Sequence, residues 1–99
     1  MWRRKEEEMA VAVLVEIPHG TEAQYEQVAS EIFADGKLPP GWLLHMAGPE
    51  DDRWRVVNIV ESRDEFERFA RETIMPATQK AGEEPPQFTF VPLHTLIGA

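Results

Sequence analysis

Ninety-nine residues carrying a net charge of −8 make one small acidic domain. That charge excludes nucleic acid and anionic membrane surfaces as partners, because both are bound through a basic patch. The absence of cysteine excludes disulfides, thiolate metal sites and thiol nucleophiles. The longest apolar run, Met9–Val15, is too short to cross a bilayer. The charged stretch ahead of it does not read as a signal peptide, so a cytoplasmic protein is expected. A domain of this size buries only about 60–70% of the surface of its unfolded chain. Added burial against a partner would help it.

Residues 1–9 are set apart by opposed blocks of charge and read as an N-terminal extension, with 10–99 as the domain. The extension fits an alternative start or an added segment, and Trp2 is its one residue equipped to dock. From Ala10 to Ile17, Val11, Val13, Val15 and Ile17 alternate with Ala12, Leu14 and Glu16. With so little polar face, this strand is expected at the centre of a sheet. Pro18-His19-Gly20 breaks it. Thr21 then caps a helix, with Gln24 in capping-box position and Tyr25, Val28, Ala29, Ile32 and Phe33 at helical spacing. Asp35-Gly36 ends the helix, and Pro39-Pro40-Gly41 stiffens the approach to a second strand.

Gly41–Pro49 and Trp54–Ser62 read as two strands joined by a turn over Gly48–Arg53. Pairing Ala47 with Trp54 sets His45 opposite Val56 and Leu43 opposite Asn58. One face then carries Leu43, His45, Ala47, Val56, Asn58 and Val60. The other carries Trp42, Leu44, Met46, Val57 and Ile59, with Arg55 and Glu61 at its margins. Ser62 and Glu65 form a second capping box before a helix whose stripe is Phe66, Phe69, Ala70, Thr73 and Ile74. Pro76 should kink or restart that helix. Ala81-Gly82 ends it, and Pro85-Pro86 leads to a last strand, Gln87–Leu96. Pro92 within that strand places it at a sheet edge.

Strand-helix-strand-strand-helix-strand is the ferredoxin-like βαββαβ order of an α+β fold. Right-handed crossovers put both helices on one face of the four-stranded antiparallel sheet. The other face is too apolar to stay bare. A second copy would cover it, pairing two sheets into a dimeric α+β barrel.

Residues 10–97 resemble the antibiotic biosynthesis monooxygenase-like group of the dimeric α+β barrel superfamily. The resemblance rests on Pro40-Gly41-Trp42, His45-Met46-Ala47-Gly48-Pro49, Trp54-Arg55-Val56-Val57, Glu61-Ser62-Arg63, Glu65-Phe66-Glu67-Arg68-Phe69 and Met75-Pro76-Ala77. It implies a site between helices and sheet. It also implies one of several activities, among them cofactor-free oxygenation of polyphenols, haem degradation and polyketide cyclisation. Relatives usually carry an Asp-Val-Trp-Glu-Ser-like run on the third strand, where this chain has Asn58-Ile59-Val60-Glu61-Ser62. Valine in place of the indole should leave a larger space unless neighbours fill it. A differently shaped site and an engineered pocket are both compatible with that change.

His45 and Asn58 are the polar groups on the inward face. His45 suits a general base; Asn58 suits a group that orients a carbonyl or stabilises an oxyanion. Each is equally readable as a buried residue satisfied by the other or by backbone. Tyr25, Val60, Phe66 and Phe69 would line the pocket, with Ile32 in its roof. His94 would join them from the side of Phe88 and Phe90. His19 sits in an exposed turn. The histidines lack ligand spacing, so no metal is assigned. Without a histidine on the second helix to hold haem, no cofactor is assigned either.

Two function classes stay open. One is a cofactor-independent monooxygenase or related enzyme acting on a small aromatic or polyketide-like substrate. The other is a non-catalytic homodimer that binds a small apolar molecule or serves as a scaffold.

Overall fold

The computed structural model describes residues 10–98. The extension at 1–9 lies outside them. Four strands form one antiparallel sheet in the order β2-β3-β1-β4: β1 Val11–Pro18, β2 Trp42–Glu50, β3 Arg53–Val60 and β4 Gln87–Pro92. Helix α1, Glu22–Ile32, crosses over between β1 and β2. A longer helical run between β3 and β4 comprises α2 Arg63–Phe69, a π-helical turn Ala70–Ile74 and α3 Met75–Lys80. This is the expected α+β ferredoxin-like fold. β1 is central and β4 lies at an edge, where Pro92 costs the sheet no ladder bond. Among the described residues no helix is long and apolar enough to cross a membrane.

Local chemistry sets the helix ends. Thr21 Oγ1 accepts from the Gln24 N–H at 3.2 Å, and Gln24 Oε1 accepts from the Thr21 N–H at 3.2 Å. Both halves of the first capping box are therefore closed. At α2 only the forward half forms, from the Glu65 N–H to Ser62 Oγ at 3.2 Å. Pro76 does not end the helical run. It has no N–H to give the Glu72 carbonyl, and the turn ahead of it widens so that the Met75 N–H reaches back to Ala70 O.

The core lies between the helices and one sheet face, around Val13, Val15, Val56, Val60, Phe66 and Ile74. Phe66, only 2% exposed, contributes about 1.5–3 kcal/mol by burial. From β4, Phe88 and Phe90 meet it edge-on at 6.0 and 6.1 Å. The opposite face includes Leu44, Met46, Val57 and Val91, with Met46 55% and Val91 41% exposed.

The hairpin differs from expectation in two ways. β2 runs on through Gly48 and Pro49 to Glu50, and the chain reverses at Asp51-Asp52. Asp51 takes the left-handed turn at φ 53°, which a short polar side chain tolerates. β2 is an edge strand, so Pro49 does not end it. The register is therefore Ala47 with Val56 and His45 with Asn58. A slip of two residues keeps every side chain on its face.

The second difference does change faces. The ladder shifts between Trp42, which pairs with Val60, and Leu44, which pairs with Ile59. Leu43 is the extra residue of a β-bulge. Trp42 turns inward, and Leu43 turns out to 42% exposure. That reverses the assignment of both from sequence. The inward indole meets Phe33, Phe66 and Phe69 at 5.7, 5.6 and 5.8 Å between ring centres. These rings pack around Val60, which is 1% exposed and borders a groove only on its outer side. Val60→Trp should cost about 1–3 kcal/mol or more by overpacking, measured by denaturant unfolding. Unchanged stability would reveal a void there.

Candidate functional site

Three side chains from three elements meet under α1. His45 and Asn58 are direct cross-strand partners on β2 and β3, close enough for side chains of one face to touch. Tyr25 reaches them from the first turns of α1, which the Thr21 cap orients. Asn58 is 3% exposed, and its Oδ1 lies 2.6 Å from His45 Nδ1. An amide oxygen only accepts, so Nδ1 carries the proton and donates. Nε2 then holds the ring's free lone pair. The Tyr25 hydroxyl donates to it at 2.6 Å. Asparagine holds one imidazole tautomer, and the basic nitrogen is aimed at a phenol.

The surroundings are aromatic. The Tyr25 and His45 rings are within 4° of parallel at 6.0 Å, and Phe33 lies 4.5 Å from the imidazole centre. Burial raises the Tyr25 pKa above its ordinary 10.0, with the charge of Glu26 adding to the effect. At neutral pH the hydroxyl is therefore a donor and not a phenolate.

A cavity of about 50 Å³ opens beside these groups, lined by Tyr25, His45, Asn58, Phe33, Phe66 and Glu83, among others. A separate groove of about 170 Å³ lies at the outer end of the sheet, bounded by Pro40, Val60, Arg68 and Phe69. Trp42 and Phe66 stand between the two and line both. The structure thus groups His45, Asn58, Tyr25 and Phe66 in one place, and Val60 and Phe69 in another. His94 follows the end of β4, is exposed and lines neither space. His19 is exposed, its Nδ1 2.7 Å from Asp52 Oδ2. Among the described residues no three histidine or acidic side chains converge as a metal site.

Glu83 was not singled out from sequence. It follows the helix-ending Gly82 and looks like any acid in a polar loop. The fold turns it inward, and its Oε1 is buried with no hydrogen-bond partner. Burial raises its pKa above the ordinary 4.5.

No family model and no curated protein matches the chain. Solved structures do. SnoaB, a cofactor-independent oxygenase from Streptomyces nogalater, superimposes with a TM-score of 0.63 as an asparagine-to-alanine variant and 0.61 in a second structure. Both are 18% identical, and each match covers 93% of this chain and 99% of that one. This chain folds like SnoaB. The shared fold agrees with the resemblance carried by the sequence motifs.

The Glu83 shift has a signed consequence for stability. A carboxyl whose folded pKa lies above its unfolded value binds more protons when native, so stability falls as pH rises through that window. Glu83→Gln should be more stable than the parent at about pH 8, and the gain should vanish at about pH 4. Paired thermal melts check this. An equal difference at both pH values would show that the carboxyl is not stressed.

Proposed function

We propose that the protein is a cofactor-independent oxygenase acting on a small aromatic substrate that bears a phenol. The observation behind this reading is the His45 Nε2 lone pair, held toward a phenolic hydroxyl by the Nδ1 bond to Asn58. A substrate phenol that takes the place of the Tyr25 hydroxyl would pass its proton to Nε2. The resulting anion is electron-rich enough to reduce dioxygen directly. In overall balance a phenol with a ring C–H para to its hydroxyl and O2 become a quinone and water, with every electron supplied by the substrate. The protein's own work is to provide a base, a dry site and orientation. The activity of SnoaB supports the class of reaction, and the relay supports the base.

Size constrains the substrate's route. A benzene ring needs a cavity of about 150 Å³, and this one has about 50 Å³. Phe33 and Tyr25, both only half-buried, are the side chains that would give way. The same shortage of space leaves a second reading, a homodimer that acts as a scaffold or binds small molecules without turnover.

Oxygen uptake with electron-rich phenols separates the two. The oxygenase reading expects uptake above the uncatalysed rate, and His45→Ala should lower it by about 10²–10⁴-fold. Phenols that bind but give no enzyme-dependent uptake would leave the binding reading in its place.

The proposal includes a homodimer with sheets face to face. Exposed Met46 and Val91, with an open hollow of about 460 Å³ beside Met46 and Val57, support a partner there. Met46→Lys should shift sedimentation toward monomer or aggregate, because it places an unpaired charge in an apolar contact. An unaltered dimer would move the interface elsewhere. So would a parent protein that is already monomeric at micromolar concentration.

A further inference from the structure

The outer groove is a space that the Tyr25–His45–Asn58 relay does not use. Its volume of about 170 Å³ exceeds the roughly 150 Å³ of a cavity that takes a benzene ring, and the His45 cavity falls well short of that. Its walls include Pro40, Trp42, Val60 and Phe69. The buried indole of Trp42 stands between the groove and His45. The groove is also charged, for Glu65, Arg68 and Glu72 all line it.

Those three charges come from one side of one helical run. Residues three and four apart are neighbours on a helix surface, which groups Glu65 with Arg68 and Phe69. The π-helical turn Ala70–Ile74 keeps Glu72 on the same groove. Each charge has a local partner within reach, and among the described residues none takes it. Glu65 holds the capping-box position, yet only its N–H bonds Ser62 and its carboxylate does not return to the Ser62 N–H. Arg68 has a glutamate one turn away on either side and pairs with neither. Arg63 on the same helix does close on Glu67, at 3.3 Å, and Lys80 on Glu31 at 3.2 Å. The groove therefore offers one guanidinium and two carboxylates above an apolar floor.

A simple anion in this groove would meet two carboxylates, and a simple cation would meet the guanidinium. A ligand with both charges on one carbon satisfies all three groups. We propose that the outer groove binds a free α-amino acid with an aromatic side chain. The ring lies against Trp42, Val60 and Phe69. Arg68 takes the carboxylate, whose two oxygens match the planar fork of a guanidinium. Glu65 and Glu72 hold the ammonium. Such a ligand has no net charge at neutral pH, so a chain of −8 does not repel it. The site lies apart from His45, and the proposal stands or falls independently of the oxygenase reading.

Three probes with the same ring test this by titration calorimetry on the full chain: L-phenylalanine, phenethylamine, which lacks the carboxylate, and 3-phenylpropionate, which lacks the ammonium. L-phenylalanine should bind about tenfold more tightly than either. Arg68→Gln should remove its advantage over phenethylamine. The double variant Glu65→Gln, Glu72→Gln should remove its advantage over 3-phenylpropionate. All three side chains are exposed, so these variants should melt within a few degrees of the parent. His45→Ala changes only the other space and should leave L-phenylalanine affinity as it was. Equal affinity for the three probes overturns the proposal, as does an L-phenylalanine advantage that survives the charge variants. Loss of L-phenylalanine binding in His45→Ala would place the ligand in the other cavity, and no binding at millimolar concentration would remove the site altogether.

Discussion

The β-bulge at Leu43 is the constraint on which the rest of the interior depends. One extra residue on β2 lets Trp42 and His45, three positions apart, point to the same side of the sheet. Without it, strict alternation would send Trp42 to the open face whenever His45 faced the helices. The inward indole seals the space above Val60 and separates the outer groove from the His45 cavity. An edge strand accommodates this distortion readily, because only one ladder has to absorb it. β2 is such a strand.

Within that enclosure, a short chain of side-chain hydrogen bonds runs from Tyr25 to His45 to Asn58. Its direction follows from what each atom can do: the amide oxygen accepts, Nδ1 donates, Nε2 accepts and the phenol donates. Low local dielectric strengthens such bonds and makes any unpaired polar atom expensive. Glu83 Oε1 and Trp54 Nε1, both buried without a partner, stand out for that reason. The same burial that holds the relay in one state leaves a carboxyl with no partner a short loop away from α3.

The likeness to SnoaB shows how loosely this architecture binds sequence to shape. At 18% identity the two chains keep the same elements over nearly their full length. What they need in common is an alternating pattern on four strands, two crossovers of one hand and an apolar surface beneath them. Activity is set by a few side chains grafted on that frame. Here the frame carries a histidine hydrogen-bonded to an amide and a cavity smaller than one aromatic ring.

The sequence by itself determined the element order, the caps at Thr21 and Ser62, the edge position of β4 and the inward face bearing His45 and Asn58. Those features are local or periodic: a cap needs a side chain three residues from its partner, and a strand face repeats every second residue. A register error of two residues left the faces intact for the same reason. Tertiary structure alone decided the bulge, because a pattern apolar on both sides gives alternation nothing to violate when Trp42 and Leu43 exchange faces. It also decided that Asn58 would hold His45 and that Tyr25 would meet Nε2, since these contacts join residues 13 and 20 positions apart. Glu83 was the least legible. Its burial comes from a backbone turn pinned to Thr78 and Gln24, and an acid between glycine and two prolines carries no mark of that.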